Sequence, residues 1–382
     1  MPTYLHIDLN CFFASVEQQA NPFLRGKPIG IVADPTGRYV RRGVLATASY
    51  PAKAKGVKSG MPAFQAKQLC PEIILIGGDG DKYEYISNCF NNIVRRYSDD
   101  VTQFSIDEAY MEVDSVRHLL GSPTTIAHNI KQAMREELGT CITCSIGIGP
   151  NRILAKLASD LQKPDGLVEI THENKFEVLR SVPLDALAGI GPKTRAHLEA
   201  LGIVDFDDLY KADDLFLKNA FGVWGINLKR VAQGHESGFF RYTHNQQKSI
   251  GHSRTVNANM ETLEQLKPLL KRLSSKVGQR ARKHGLVGQT VHVQLKYWDF
   301  EHWGMQRKLG FGINDDSAIY KEALGLLVTH RQPTKPVRLV GVSISDTRED
   351  VQGDLFDYTK QSHDRMDALD RMRARYGKRT FI

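Results

Sequence analysis

The run FSIDEAY, residues 104–110, sets two acids side by side in a stretch that otherwise has the composition of β-strand. Successive side chains of a strand point to opposite faces. In a regular strand Asp107 and Glu108 would therefore diverge, one towards the core and one towards water. VTQFSI before them and AYMEVD after them each read as a short strand. A bend at 107–108 resolves the conflict, because it breaks the two-residue period and lets both carboxylates lean to one point. Asp-Glu is a poor choice for a tight two-residue hairpin, where Asn-Gly or Asp-Gly is favoured. The plain alternative is a solvated hairpin turn.

Working outward, TYLHIDLN (3–10) reads as a buried strand closed by Asp8, and CFFASVEQQA (11–20) has helical spacing with Phe12 and Val16 on one face. PIGIVAD and GVLATASY are β-rich and joined by a basic loop, and AFQAKQLCP is a short helix stopped by Pro71. Residues 82–98 are helical in pattern, TTIAHNIKQAMREELG is an amphipathic helix, ITCSIGIG a strand and NRILAKLASDLQKPDG a helix ending at a Pro/Gly turn. Helices alternating with strands, two of them in a hairpin, predict an α+β sheet of ferredoxin-like arrangement. If strand 3–8 neighbours strand 101–106, then Asp8, Asp107 and Glu108 meet at one end of that sheet. Three carboxylates held together repel unless a cation sits between them. Oxygen-only ligation favours Mg²⁺ or Mn²⁺. Two such ions about 3.5–4 Å apart can activate a hydroxyl and stabilise a leaving oxygen in phosphoryl transfer.

At 382 residues the chain is too long for one small core, and two to four domains are expected. The net charge of +8 points to an anionic partner, most often nucleic acid. The excess is local: residues 241–348 hold 18 Lys and Arg against 8 Asp and Glu. Within that region Leu263, Leu266, Leu270, Leu273 and Val277 form a helical stripe flanked by Lys and Arg, and TVHVQLKY and VRLVGVSIS read as strands. This is a separate small α+β domain with a basic surface. From about residue 180 to 240 the chain reads as helical, with Gly-rich hairpins. Five cysteines, an odd number, argue against a disulfide framework, and the lone pair Cys141 and Cys144 reads as packing rather than zinc ligation. The N-terminus lacks a signal-peptide pattern and no apolar run nears membrane-spanning length, so a cytoplasmic protein with no membrane partner is expected.

Five motifs occur in order: YLHIDLNCFFASVEQ, GVLATASYPAKAKGVKSGMP, FSIDEAYMEV, CSIGIGPNRILAKLASDLQKPDG and LAGIGPKTRAHLEALGI. Together they resemble the motifs of Y-family translesion DNA polymerases, in particular a bacterial type, over residues 3–348. The resemblance implies a ferredoxin-like palm (1–10 and 78–165), small fingers (11–77), a helical thumb with a helix-hairpin-helix (166–240) and an α+β little finger (241–348). It implies that Asp8, Asp107 and Glu108, with the Leu9 backbone carbonyl, hold two Mg²⁺ ions, which Mn²⁺ can replace. Phe13 falls at the steric-gate position beneath the incoming sugar; the plain alternative for it is a core aromatic, as Phe12 is. Thr47, Tyr50, Lys53 and Lys163 match triphosphate-contacting positions, and Arg41 and Arg42 the place over the template base. Two departures stand out: Asn10 where the family usually has aspartate, and Pro51-Ala52-Lys53 where it usually has Glu-Ala-Arg.

GIGPK (189–193) has the form of a helix-hairpin-helix turn, in which Gly189, Gly191 and Lys193 would bring backbone amides and a cation to a DNA phosphate. AFGVWG (220–225) reads equally as a second hairpin or a simple interhelical turn. The charged tail, 349–382, carries QGDLFD, and Gln352, Leu355 and Phe356 resemble peptides that bind the bacterial sliding clamp. The expectation is a monomeric, low-fidelity, template-directed polymerase acting on primer–template DNA and dNTPs without proofreading. A nucleotidyl cyclase with a palm-like sheet and a non-catalytic DNA-binding scaffold are the alternatives. The first would leave the hairpin and basic domain unused, the second the acids.

Overall fold

In the computed structural model the described residues are 2–32, 43–235, 247–349, 368–372 and 375. Arg41 and Arg42, and Gln352, Leu355 and Phe356, lie outside them. The chain divides near residue 242 into two compact units.

The first unit contains strands β1 (Tyr4–Leu9), β2 (Ile29–Val32), β3 (Leu45–Ala48), β4 (Ile74–Gly77), β5 (Val101–Gln103), β6 (Glu108–Glu112), β7 (Cys144–Gly149) and β8 (Leu167–Glu169). Five of them form a sheet in the order β5-β6-β1-β7-β8. Without β8 this is the ferredoxin-like order, with helices Gly80–Val94 and Pro123–Leu138 as its two crossovers. β8 adds a parallel edge strand beside β7, so the sheet runs past residue 165.

β1 shows how one strand serves two layers. Leu5, Ile7 and Leu9 enter the main apolar core with Ile126, Ile130 and Met134 of one crossover helix. Tyr4, His6 and Asp8 take the other face by alternation. Across that second face runs helix Arg152–Leu161, capped by Asn151, whose Oδ1 accepts the Leu154 N–H at 2.8 Å. The helix can approach because β7 carries Gly147 and Gly149 beneath it. A Cβ at Gly147 would lie 2.0 Å from the Ala155 carbonyl oxygen.

The strands β3-β2-β4 make a smaller sheet with its own core of Leu45, Ala52, Val57, Ala66 and Ile73. Residues 170–232 are helical, as expected, and their core is shared with Ile153, Leu154 and Leu157 of the helix on the sheet. AFGVWG is a turn between helices Asp214–Phe221 and Val223–Ala232. Cys144 is buried in β7, where burial pushes its thiol up to about 12, as suits a packing cysteine.

The second unit is one antiparallel sheet of β9 (Ser249–Met260), β10 (Leu286–Tyr297), β11 (His302–Ile313) and β12 (Val337–Glu349), in the order β11-β10-β12-β9. Helices Leu263–Lys283 and Asp316–Thr329 share a core with Val291, Val293, Val340 and Val342 on one face. Two strands and a helix here exceed the two strands and one helix read from the sequence. β11 turns Trp303, Met305, Leu309 and Ile313 to the core but Arg307 interrupts the alternation, and β9 contributes only Ile250, Val256 and Met260. The tail is pinned at residue 370, where half-buried Arg282 donates from Nε to Asp370 at 2.8 Å.

Candidate active site

The chain between β5 and β6 bends over Ser105–Asp107, and Glu108 opens β6. The straight-strand dilemma is thus resolved as a turn, with Asp107 in it and Glu108 just beyond. The Asp107 carbonyl accepts the Leu9 N–H at 2.9 Å, and Asp8 stands directly across from Glu108 in the β1–β6 register. Residues opposite one another share a face. Asp8 and Glu108 therefore sit together beneath helix Arg152–Leu161, with His6 and Tyr110 one step back, their rings 4.6 Å apart.

That helix brings positive charge to the acids. Lys156 Nζ donates to Glu108 Oε1 at 2.5 Å. Lys163, just past the helix end, donates to Asp8 Oδ2 at 2.9 Å and to Asp160 at 2.8 Å. Asp107 Oδ1 accepts from the Ser105 hydroxyl at 2.5 Å. The three carboxylates are thus drawn to three partners. Among the described residues no three His, Cys, Asp or Glu side chains are gathered closely enough to hold a metal ion. The expected convergence is met by the backbone and not by the carboxylates, because each leans to the nearest donor.

The charge balance nevertheless suits a cation. Burial raises the Asp8 carboxyl to about 6, with Glu108 and Asp107 adding to the effect, although Lys163 opposes it. Carboxylates so held favour hard cations with oxygen ligands. His6 stays neutral, its pKa lowered by burial and by Lys156 and Lys163. Its Nδ1 is 2.7 Å from Ser159 Oγ, a hydroxyl that donates to the Lys156 carbonyl. Sequence reading missed Lys156. Its signal was spacing: 152, 156 and 159 fall on one helical face.

Asn10 is a structural tie. Its Oδ1 accepts from the Asp165 N–H at 2.8 Å and from Thr143 Oγ1 at 3.0 Å, and its Nδ2 donates to Ser145 Oγ at 3.0 Å. An amide serves both donor and acceptor needs there, which a carboxylate would not.

Phe12 is buried in the core, whereas Phe13 is half-buried. Thr47 is buried in β3. Tyr50 opens a short helix, Tyr50–Lys53, whose first turn accepts Pro51 without loss of a helical bond. Its phenol is shifted upwards by burial, by a hydrogen bond with Cys11 and by Asp8, which sets it near the acids. Lys53 Nζ lies 5.2 Å from the Tyr50 ring centroid. Gly189 has φ 103°, and Gly191 precedes helix Pro192–Ala200, so GIGPK is a glycine turn entering a helix that begins with Lys193 in its first turn.

In the second unit the sheet face away from the helices carries Gln294 and Lys296 of β10, Gln306 and Lys308 of β11, and Gly341 and Ser343 of β12. Gln294, Gln306 and Lys308 are exposed. The open face of the sheet is therefore polar, and helix Leu263–Lys283 also exposes Lys271, Arg272, Lys276 and Arg280.

Residues 7–160 match the model of the impB/mucB/samB family, and residues 247–355 the model of that family's C-terminal domain. A DNA polymerase IV of Moorella thermoacetica is 38% identical over 377 residues, covering 97% of this chain and 93% of the relative. The chain belongs to the Y-family DNA polymerases. DNA polymerase IV 1 of Bacillus subtilis is 33% identical over 379 residues, covering 97% of this chain and 90% of its own. Among solved structures, a Y-family chimera of Dbh and Dpo4 matches with a TM-score of 0.79 and 29% identity over 90% of this chain and 98% of that one. An insertion ternary complex of Dbh DNA polymerase matches with a TM-score of 0.62 at 28% identity over the same shares. The chain is accordingly a DNA-directed DNA polymerase of the translesion type, a metal-dependent nucleotidyltransferase that binds primer–template DNA and dNTPs. Among the described residues no helix is long and apolar enough to cross a membrane.

Proposed function

We propose that the polymerase extends primers by two-metal-ion nucleotidyl transfer at the Asp8, Asp107 and Glu108 end of the β1–β6 sheet, with low fidelity and without proofreading. The observation that carries this reading is the register: Asp8 faces Glu108, and Asp107 sits in the bend beside them. Asp8, Asp107, Glu108 and the Leu9 carbonyl would hold two Mg²⁺ ions, or Mn²⁺ in their place. When bound, they supply activation of the primer 3′-hydroxyl and stabilisation of the leaving pyrophosphate. Lys163 and Lys156 now neutralise the acids. Lys163, together with Thr47, Tyr50 and Lys53, would serve the triphosphate once Asp8 is taken up by a cation.

Phe13 is the ring beneath the incoming sugar, where it leaves no space for a 2′-hydroxyl. Gly189, Gly191 and Lys193 grip a duplex phosphate through backbone amides and one cation. The open sheet face of the second unit adds a sequence-independent grip. The expected palm, fingers, thumb and little-finger divisions serve these roles, the enzyme acts as a cytoplasmic monomer, and the tail motif docks on the sliding clamp. Primer extension on damaged and undamaged templates tests the reading. Asp107→Ala should abolish extension and leave primer–template binding intact. Absence of extension by the wild type with any divalent ion would sink the proposal.

A further inference from the structure

Glu17 is 7% exposed, a costly place for a carboxylate without partners. It has two. Lys82 Nζ lies 2.9 Å from both Glu17 oxygens, and the Tyr83 hydroxyl donates to Oε1 at 2.9 Å. Both partners come from the first turn of helix Gly80–Val94, whereas Glu17 belongs to helix Phe12–Ala20. Glu17 follows Phe13 by four residues, which puts the two on one helical face. The Tyr83 ring, fixed at its hydroxyl, then stands 4.6 Å from the Phe13 ring and 6.2 Å from the Phe12 ring, and the two phenylalanines are 5.2 Å apart. Tyr83 is buried and Phe13 only partly so. The buried side of Phe13 is therefore a ring whose position a charge network sets.

We infer that Glu17, acting through Lys82 and Tyr83, is a positioning residue for Phe13 and sets how strictly ribonucleotides are rejected. The inference rests on the reading of Phe13 as the ring beneath the sugar. If Tyr83 loses its tether, Phe13 gains a direction in which to retreat, and the space denied to a 2′-hydroxyl opens. A tie that only holds two helices together would instead weaken insertion of both nucleotide classes alike.

The test is single-nucleotide insertion by the full chain opposite template G with dCTP and CTP, compared as the ratio of kcat/KM values. Glu17→Met and Tyr83→Phe should each raise the CTP/dCTP ratio about three- to ten-fold, the scale of a sub-ångström loss of positioning. Phe13→Ala should raise it further, and Glu17→Met should add nothing in that background. Lys82→Arg, which keeps the ion pair, should retain the wild-type ratio. An unchanged ratio in Phe13→Ala overturns the gate reading itself. A raised ratio in Phe13→Ala with unchanged ratios in Glu17→Met and Tyr83→Phe overturns the network. If Glu17→Met does not fold, Tyr83→Phe, which keeps the ring, decides alone.

Discussion

Replacing Asp8 by asparagine should make the metal-free protein more stable. The carboxyl is raised from an ordinary 3.8 to about 6, first by burial and then by Glu108 and Asp107, with Lys163 only partly compensating. At roughly 1.4 kcal/mol per pH unit, ionised Asp8 costs the folded chain about 3 kcal/mol. The sign follows from proton counting. Between pH 4 and 6 the folded state binds more protons at this site than the unfolded state, so its contribution to stability falls as pH rises. Asparagine keeps the shape and removes the charge, and Lys163 retains Asp160 at 2.8 Å. In EDTA at pH 7.5, urea unfolding of the first unit should show Asp8→Asn ahead by up to about 3 kcal/mol. The gap should close towards pH 4, where the folded carboxyl is protonated and most of the cost of its charge is gone. Added Mg²⁺ should also narrow it, since only the wild type keeps the full acid set. A variant no more stable than wild type at pH 7.5, or an advantage unchanged at pH 4, would refute the reasoning.

Other outcomes are expected. Gly147→Ala forces a methyl to within 2.0 Å of the Ala155 carbonyl, and should cost about 3 kcal/mol by lifting the Lys156 helix off the sheet; calorimetry and extension assays on the same preparation check both effects. Lys308→Ala should weaken primer–template binding equally for all sequences and lower the salt slope by about 0.9, as read by fluorescence anisotropy across a KCl series. Leu355→Ala combined with Phe356→Ala should abolish clamp-stimulated synthesis while leaving unstimulated synthesis unchanged; unaltered stimulation would dismiss the tail motif.

Much of the fold could be read directly because it rests on local pattern. β1 and β7 are buried throughout and read as short strand runs, and the stripe of helix Leu263–Lys283 shows as helical spacing. β9 and β11 went unread because polar residues interrupt their apolar period, His252 and Arg254 in β9 and Arg307 in β11. The acids were legible as residue types, and the Asp-Glu adjacency itself demanded a bend. Which face they occupy follows from alternation once β1 and β6 pair, but that pairing spans a hundred residues and is decided by the core between them.

The sequence by itself determined most of the elements, the acidic bend and the three acids, because these depend on neighbours within a few positions. Tertiary structure alone decided that Lys156 and Lys163 hold Glu108 and Asp8, and that Glu17 reaches Tyr83 behind Phe13. Those contacts join residues 48, 155 and 66 positions apart. The free energy of a buried charge depends on whatever surrounds it in space, and no local spacing encodes that.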